Sequence, residues 1–174
     1  MTNTREQPAV PVADAYAHLI SFLDERGVPF HLIDHSPEGR TEFVSALRGH
    51  HVSDAAKCMI LMAKQGKKVT RYVLAVIPGD SRVDLAAVKT LLSATYVSFA
   101  SPQLAEDLAG SPTGTVLPFS FNPALELIVD PSLLDHERIY FNAGKLDRSM
   151  VLDTPRYIAV AKPRLARISV HPTS

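Results

Sequence analysis

Two long apolar runs, Ala55 to Ala63 and Val69 to Ile77, are joined by the charged turn Lys64-Gln65-Gly66-Lys67-Lys68. The second run is rich in β-branched residues and as long as a central strand needs to be, so the pair predicts an antiparallel hairpin at the middle of a sheet. One residue in the first run is out of character. Lys57 stands in Ala56-Lys57-Cys58-Met59-Ile60-Leu61, and stranding an ammonium in apolar surroundings costs several kcal/mol, or roughly 3–5 pKa units. Either its stem lies on apolar surface with a wet head, or it faces a cleft that receives an anion. Cys58 is expected on the opposite sheet face, as a small buried hydrophobe.

Around the hairpin, helix and strand signals alternate. Asp14 caps a helix carrying Tyr16, Leu19, Ile20 and Leu23 at helical spacing and stopped by Gly27. Phe30, Leu32 and Ile33 predict a short strand ending at His35-Ser36-Pro37, and Thr41 to Leu47 a helix. Beyond the hairpin, Asp84 caps a helix over Leu85 to Leu92, Tyr96 to Phe99 reads as a strand, and Pro102 to Leu108 as a helix closed by Gly110. Strands are expected at Leu125 to Val129 and Arg138 to Phe141, then a strand and helix around Val151 to Val160 and a tail over Leu165 to Val170. Hairpins mixed with single helices predict an α/β, α+β-like fold: one mixed, curled sheet with helices packed outside. Residues 1–13 are expected as a flexible N-terminal segment and 14–174 as a single domain.

Composition narrows the function classes. The formal net charge is zero, from 18 basic and 18 acidic residues, so no global field draws the chain to nucleic acid or membrane and any polyanion must meet a local patch. One such patch is the turn residues Lys64, Lys67 and Lys68 with Arg71, although a hairpin tip is also charged simply to stay in water. A single cysteine leaves no disulfide framework, and no run approaches the ~20 apolar residues of a membrane span. A soluble, cytoplasmic protein without cofactor is expected. His31 and His35 have no third ligand at zinc spacing, and His50-His51 reads as a solvated helix end, so no metal is expected.

The loop Gly110-Ser111-Pro112-Thr113-Gly114-Thr115-Val116-Leu117-Pro118-Phe119 combines two glycines and two prolines. Such a stretch can turn several backbone N–H groups toward one point and hold a carbonyl or oxyanion; it can equally be an ordinary connection. It is neither a Walker loop nor a dinucleotide fingerprint, and no Gly-x-Ser-x-Gly elbow places a serine nucleophile.

Six segments, in order, carry a family resemblance: His35-Ser36-Pro37, Ala56 to Leu61 with Lys57, Val73 to Leu85, Gly114 to Phe119, Ile128 to Leu134, and Phe141-Asn142-Ala143-Gly144. Together they resemble the YbaK/ProX group of aminoacyl-tRNA editing domains, which includes the editing insertion of bacterial prolyl-tRNA synthetases. The resemblance implies an aminoacyl-tRNA deacylase that hydrolyses the ester of mischarged tRNA, with an aminoacyl-tRNA synthetase as a further partner. It implies Lys57 at the terminal adenosine or its phosphate, and the Gly114-x-x-x-Pro118 loop holding the aminoacyl end through backbone N–H groups. Preorganised amides contribute roughly 2.7–4 kcal/mol per donor to an oxyanion, so water or a substrate thiol suffices as nucleophile. Lys57, Gly114 and Asn142 are the expected catalytic groups. His35, Cys58, Gly110, Thr115, Pro118, Phe119, Gly144 and Asp147 are expected to bind substrate. Two positions depart from the family pattern. Cys58 stands where alanine-removing relatives tend to have Asn and cysteine-removing ones Thr, and Asn142 stands where some relatives place a histidine. Asn142 can bond a substrate amine or water but cannot shuttle a proton. Asp147 is a partner for the substrate ammonium or an exposed turn carboxylate. The competing function is a non-catalytic module of the same fold that binds tRNA or a synthetase.

Overall fold

The structure is a computed structural model that describes residues 15–171. The expected N-terminal segment and the Asp14 cap lie outside the described residues. Helix α1 (Ala15–Glu25) buries Ala15, Leu19 and Leu23 and ends at Gly27, whose φ of 65° is the left-handed stop that glycine supplies without strain. Strand β1 (His31–Asp34) and helix α2 (Thr41–Arg48) follow. A 3-10 turn, Val52–Asp54, then leads into the hairpin β2 (Ala56–Gln65) and β3 (Val69–Pro78).

The remaining elements are β4 (Arg82–Val83), α3 (Leu85–Leu92), β5 (Tyr96–Phe99), α4 (Pro102–Ala109) and β6 (Leu125–Val129). A 3-10 turn, Pro131–Asp135, precedes β7 (Arg138–Asn142), β8 (Arg148–Asp153), α5 (Thr154–Ala161), β9 (Arg164–Leu165) and β10 (Ser169–Val170). Local chemistry fixes several boundaries. Asp84 accepts from Ala87 N at the start of α3, Ser101 accepts from Leu104 N at the start of α4, and Gly110 closes α4 with φ 70°.

The hairpin is central, as its composition predicts. The mixed sheet has the order β5-β2-β3-β6-β9, antiparallel across β5-β2-β3 and parallel across β3-β6-β9. The strands do not all join it, however. β1, β8 and β7 form a separate antiparallel sheet of three, and β10 pairs with β4. A single parallel bridge, Ala55 to Tyr140, connects the three-stranded sheet to the foot of β2.

Alternation along the hairpin splits its side chains between two cores. Ala56, Ile60, Leu74 and Val76 pack with Leu19, Leu23, Phe119, Phe141, Met150 and Tyr157, and Cys58 lies against this cluster. Leu61, Ala63, Val73, Ala75 and Ile77 pack on the other face with Val88, Leu92 and Ile168. Each fully buried Leu, Ile or Val contributes about 1.5–3 kcal/mol relative to exposure, so both faces of the central strands are committed. The foot of β2, where Lys57 sits, is where the two sheets, α2 and the Gly110–Phe119 loop meet.

Candidate functional site

A cleft of about 80 Å³ opens at that junction, lined among others by Gly39, Thr41, Arg48, Lys57, Gly114 and Asn142. Cys58, Val44, Val116 and Phe141 supply its apolar walls. Lys57, Cys58, Gly114 and Asn142, from three distant stretches of sequence, are thus brought to one place.

Lys57 is half-buried. Burial pulls its ammonium below the ordinary lysine value, Glu42 and Asp80 partly offset this, and Arg82 adds to it. Among the described residues Lys57 makes neither a hydrogen bond nor an ion pair. The Cys58 thiol goes the other way: burial pushes it far above its ordinary value, so it stays protonated and is no thiolate nucleophile.

In the loop expected to present N–H groups, one peptide is fixed at both ends. Thr115 N donates to Pro112 O at 3.0 Å, and Gly114 O accepts from Asn142 Nδ2 at 3.0 Å. The N–H groups on either side, those of Gly114 and Val116, have no hydrogen-bond partner among the described residues. Gly114 has φ 87°, and a Cβ there would stand 3.0 Å from Gly39 Cα, so the two glycines let backbone meet backbone across the cleft wall. Thr115 is buried, its hydroxyl donating to Pro112 O at 2.7 Å. Pro118 O accepts from the buried Tyr157 hydroxyl at 2.6 Å, which ties the loop to α5. Thr115 and Pro118 therefore shape the loop from behind.

Asn142 is buried, with every hydrogen-bonding position of its amide filled. Nδ2 donates to Glu38 O at 2.9 Å as well as to Gly114 O, and Oδ1 accepts from Arg48 Nη2 at 3.1 Å and Ser149 Oγ at 3.0 Å. No position remains for a substrate amine or water; the geometry makes Asn142 a brace between α2, β8 and the glycine loop. His35 stands one step behind it, its Nε2 2.6 Å from Ser149 Oγ and its Nδ1–H donating to Ser36 O at 2.8 Å.

The remaining expected residues are elsewhere. Gly110 and Phe119 line a second, larger cavity of about 440 Å³ with Leu117, Phe121 and Leu125, which touches the cleft through Val116. That cavity is the roomier one, but Lys57 and Gly114 do not line it. Gly144, φ 80°, packs against the backbone of Ala15 and Tyr16. The Asp147 side chain is exposed, and its carbonyl accepts from His35 N at 3.0 Å.

Two residues were not singled out from sequence. Arg48 reads as an ordinary cation at a helix end, and Ser149 as one polar residue in an apolar strand. His50 also departs from its reading as a solvated helix end: it is half-buried, stacked on Tyr140 with centroids 3.7 Å apart, while His51 is exposed. Among the described residues no three His, Cys, Asp or Glu side chains converge as a metal ion would require, and no helix is long and apolar enough to cross a membrane.

Comparison with known proteins gives the family and the fold. The chain is 36% identical over 151 residues to the multifunctional Ser/Thr-tRNA deacylase ProXp-y of Escherichia coli (strain K12), covering 86% of this chain and 90% of that protein. It is 33% identical over 114 residues to a proline–tRNA ligase of Bacillus licheniformis, a match that spans 65% of this chain and 19% of the ligase. The crystal structure of hypothetical protein APE2540 superposes with a TM-score of 0.79 at 24% identity, over 87% of this chain and 99% of that one, which shows the shared fold. A family model described as the aminoacyl-tRNA editing domain matches residues 35–159, the stretch that carries every cleft residue named above, and the chain belongs to that family.

Proposed function

We propose that this protein is a deacylase that hydrolyses the ester between a small amino acid, serine or threonine, and the 3′ end of a mischarged tRNA. The observation that carries the reading is the convergence of an unpaired Lys57 with the open N–H groups of Gly114 and Val116 in one cleft. Family membership supports ester hydrolysis. The substrate class is drawn from the deacylase relative, and the cleft volume of about 80 Å³, bounded by Thr41, Val44 and Phe141, agrees with a small side chain.

In this reading Lys57 attracts the anionic 3′ end of the tRNA, a local positive charge on a chain whose net charge is zero. Water adds to the ester carbonyl carbon. The oxyanion forms against the Gly114 and Val116 amides, and collapse of the tetrahedral intermediate breaks the bond to the ribose oxygen, which leaves as a hydroxyl after taking a proton. The free amino acid and uncharged tRNA result. No side-chain nucleophile is needed, in keeping with the protonated Cys58 thiol.

The test is a deacylation panel of tRNAs carrying alanine, serine, cysteine and threonine, run with the wild type and Lys57→Ala. Serine or threonine should be released fastest, and the variant should lose most of the activity. A wild type that hydrolyses none of them overturns the enzyme reading, and a variant equal to wild type overturns the role of Lys57.

A further inference from the structure

Beside Lys57, the cleft holds a second cation. Arg48, the last residue of α2, has a largely buried guanidinium, and burial draws its pKa down to about 10. Among the described residues no carboxylate pairs with it. A buried charge so placed costs stability, and the groups it touches indicate what it does. Nε donates to Ser149 Oγ at 2.7 Å, Nη2 donates to Asn142 Oδ1 at 3.1 Å, and Nη1 faces His50 Nε2 at 3.4 Å. All three nitrogens are turned toward protein groups, unlike the Lys57 ammonium.

From Asn142 the chain of bonds reaches the loop. The peptide between Gly114 and Thr115 is held at both ends, its carbonyl by Asn142 Nδ2 and its N–H by Pro112 O, at 3.0 Å each. The open N–H groups of Gly114 and Val116 belong to the peptides directly before and after it, so the orientation of the central peptide sets where they point. A guanidinium on Oδ1 polarises the amide and strengthens the bonds its Nδ2 donates.

We propose that Arg48 is a positioning residue for ester hydrolysis: through Asn142 it fixes the Gly114–Thr115 peptide and so aims the Gly114 and Val116 N–H groups at the developing oxyanion. The inference rests on the deacylase reading above. Contact between Arg48 and a tRNA phosphate is the competing role, and it has a different kinetic signature.

Steady-state deacylation of seryl-tRNA, with a thermal melt of each protein, separates them for Arg48→Ala, Asn142→Ala, their double variant and Asn142→Asp. Arg48→Ala should lower kcat on the order of a hundredfold, as misplacement of reacting groups does, with KM for tRNA within about twofold. The double variant should be no slower than Asn142→Ala alone, because both act through one bond. Asn142→Asp gives Arg48 a carboxylate while removing both N–H donors, so it should fold yet lose kcat at least as severely. Should Arg48→Ala not fold, the aspartate variant decides. A raised KM with unchanged kcat and a shallower salt dependence would assign Arg48 to a phosphate. That result, multiplying effects in the double variant, or an active Asn142→Asp each overturns the proposal. A wild type inert on every mischarged tRNA instead removes the deacylase reading, so the two failures are distinguishable.

Discussion

Replacing Gly114 by alanine tests the loop geometry directly. Its φ of 87° lies where an L-residue is strained by roughly 1–2 kcal/mol. The new Cβ would stand 3.0 Å from Gly39 Cα and 3.3 Å from Leu146 Cδ2. Leucine can swing aside, but the backbone at Gly39 is held: Glu38 N donates to Leu146 O at 3.0 Å and Glu38 O accepts from Asn142 at 2.9 Å. The loop must therefore yield, carrying the Gly114 and Val116 amides away from the cleft. The strain alone corresponds to a melting point lower by about 2–8 °C in a chain of this size. The displaced amides matter more for rate, since losing one oxyanion donor costs about 2.7–4 kcal/mol, or 10²–10³ in kcat. Single-turnover hydrolysis of seryl-tRNA alongside a thermal melt reads both quantities. Gly39→Ala is the control for the backbone strain: its Cβ would meet the flexible Leu146 tip at 3.1 Å and Gly114 Cα at 3.2 Å, but its φ is not positive, so it carries the close contact without the left-handed strain and should melt closer to wild type. A Gly114→Ala protein that melts lower but keeps kcat within about threefold of wild type would show that the oxyanion is not held by these amides.

Two further outcomes follow from buried titratable groups. Burial foremost, with Arg48 adding to it, holds the His50 imidazole below its ordinary value of 6.5, against the opposing effect of its bond to His51 O. The unfolded chain then takes up a proton first as pH falls, so stability present at neutral pH is lost as pH drops through that value toward the lower folded one; His50→Gln should flatten this part of the melting profile between about pH 7 and 5, and parallel profiles would refute it. Cys58, its thiol pushed up by burial, should react with iodoacetamide at neutral pH on the order of a hundredfold more slowly in the native protein than in urea, and equal rates would contradict its packing.

Elements with local signals were legible in the sequence. The Lys64–Lys68 turn between two apolar runs gave the hairpin, and Asp84, Gly27 and Gly110 marked helix ends that the structure confirms. How the strands divide was not legible, because it depends on pairings such as His31 with Val151, which join opposite ends of the chain and leave no local trace. The site shows the same division. Lys57, Cys58, Gly114 and Asn142 were visible as an odd charge, its neighbour, a glycine loop and a motif position, and they converge. What Asn142 bonds to was not visible, since its partners Glu38, Arg48 and Gly114 come from separate segments. Arg48 escaped for a related reason: at the last turn of a helix an arginine is ordinary, and only its long-range bonds to Asn142 and Ser149 set it apart.

The strict alternation of β2 gives Lys57 a part in folding as well as in the cleft. A slip of one residue against β3 would carry each side chain to the opposite face. The Lys57 ammonium would then enter the core around Leu74, Phe119 and Tyr157, at a cost of several kcal/mol for a charge with no partner there. A slip that merely exchanged aliphatic residues of similar size would be penalised far less. The same charge that lowers the stability of the native hairpin thus raises the energy of its nearest misaligned competitor by more, and the lysine acts as a sentry over strand alignment before any substrate arrives.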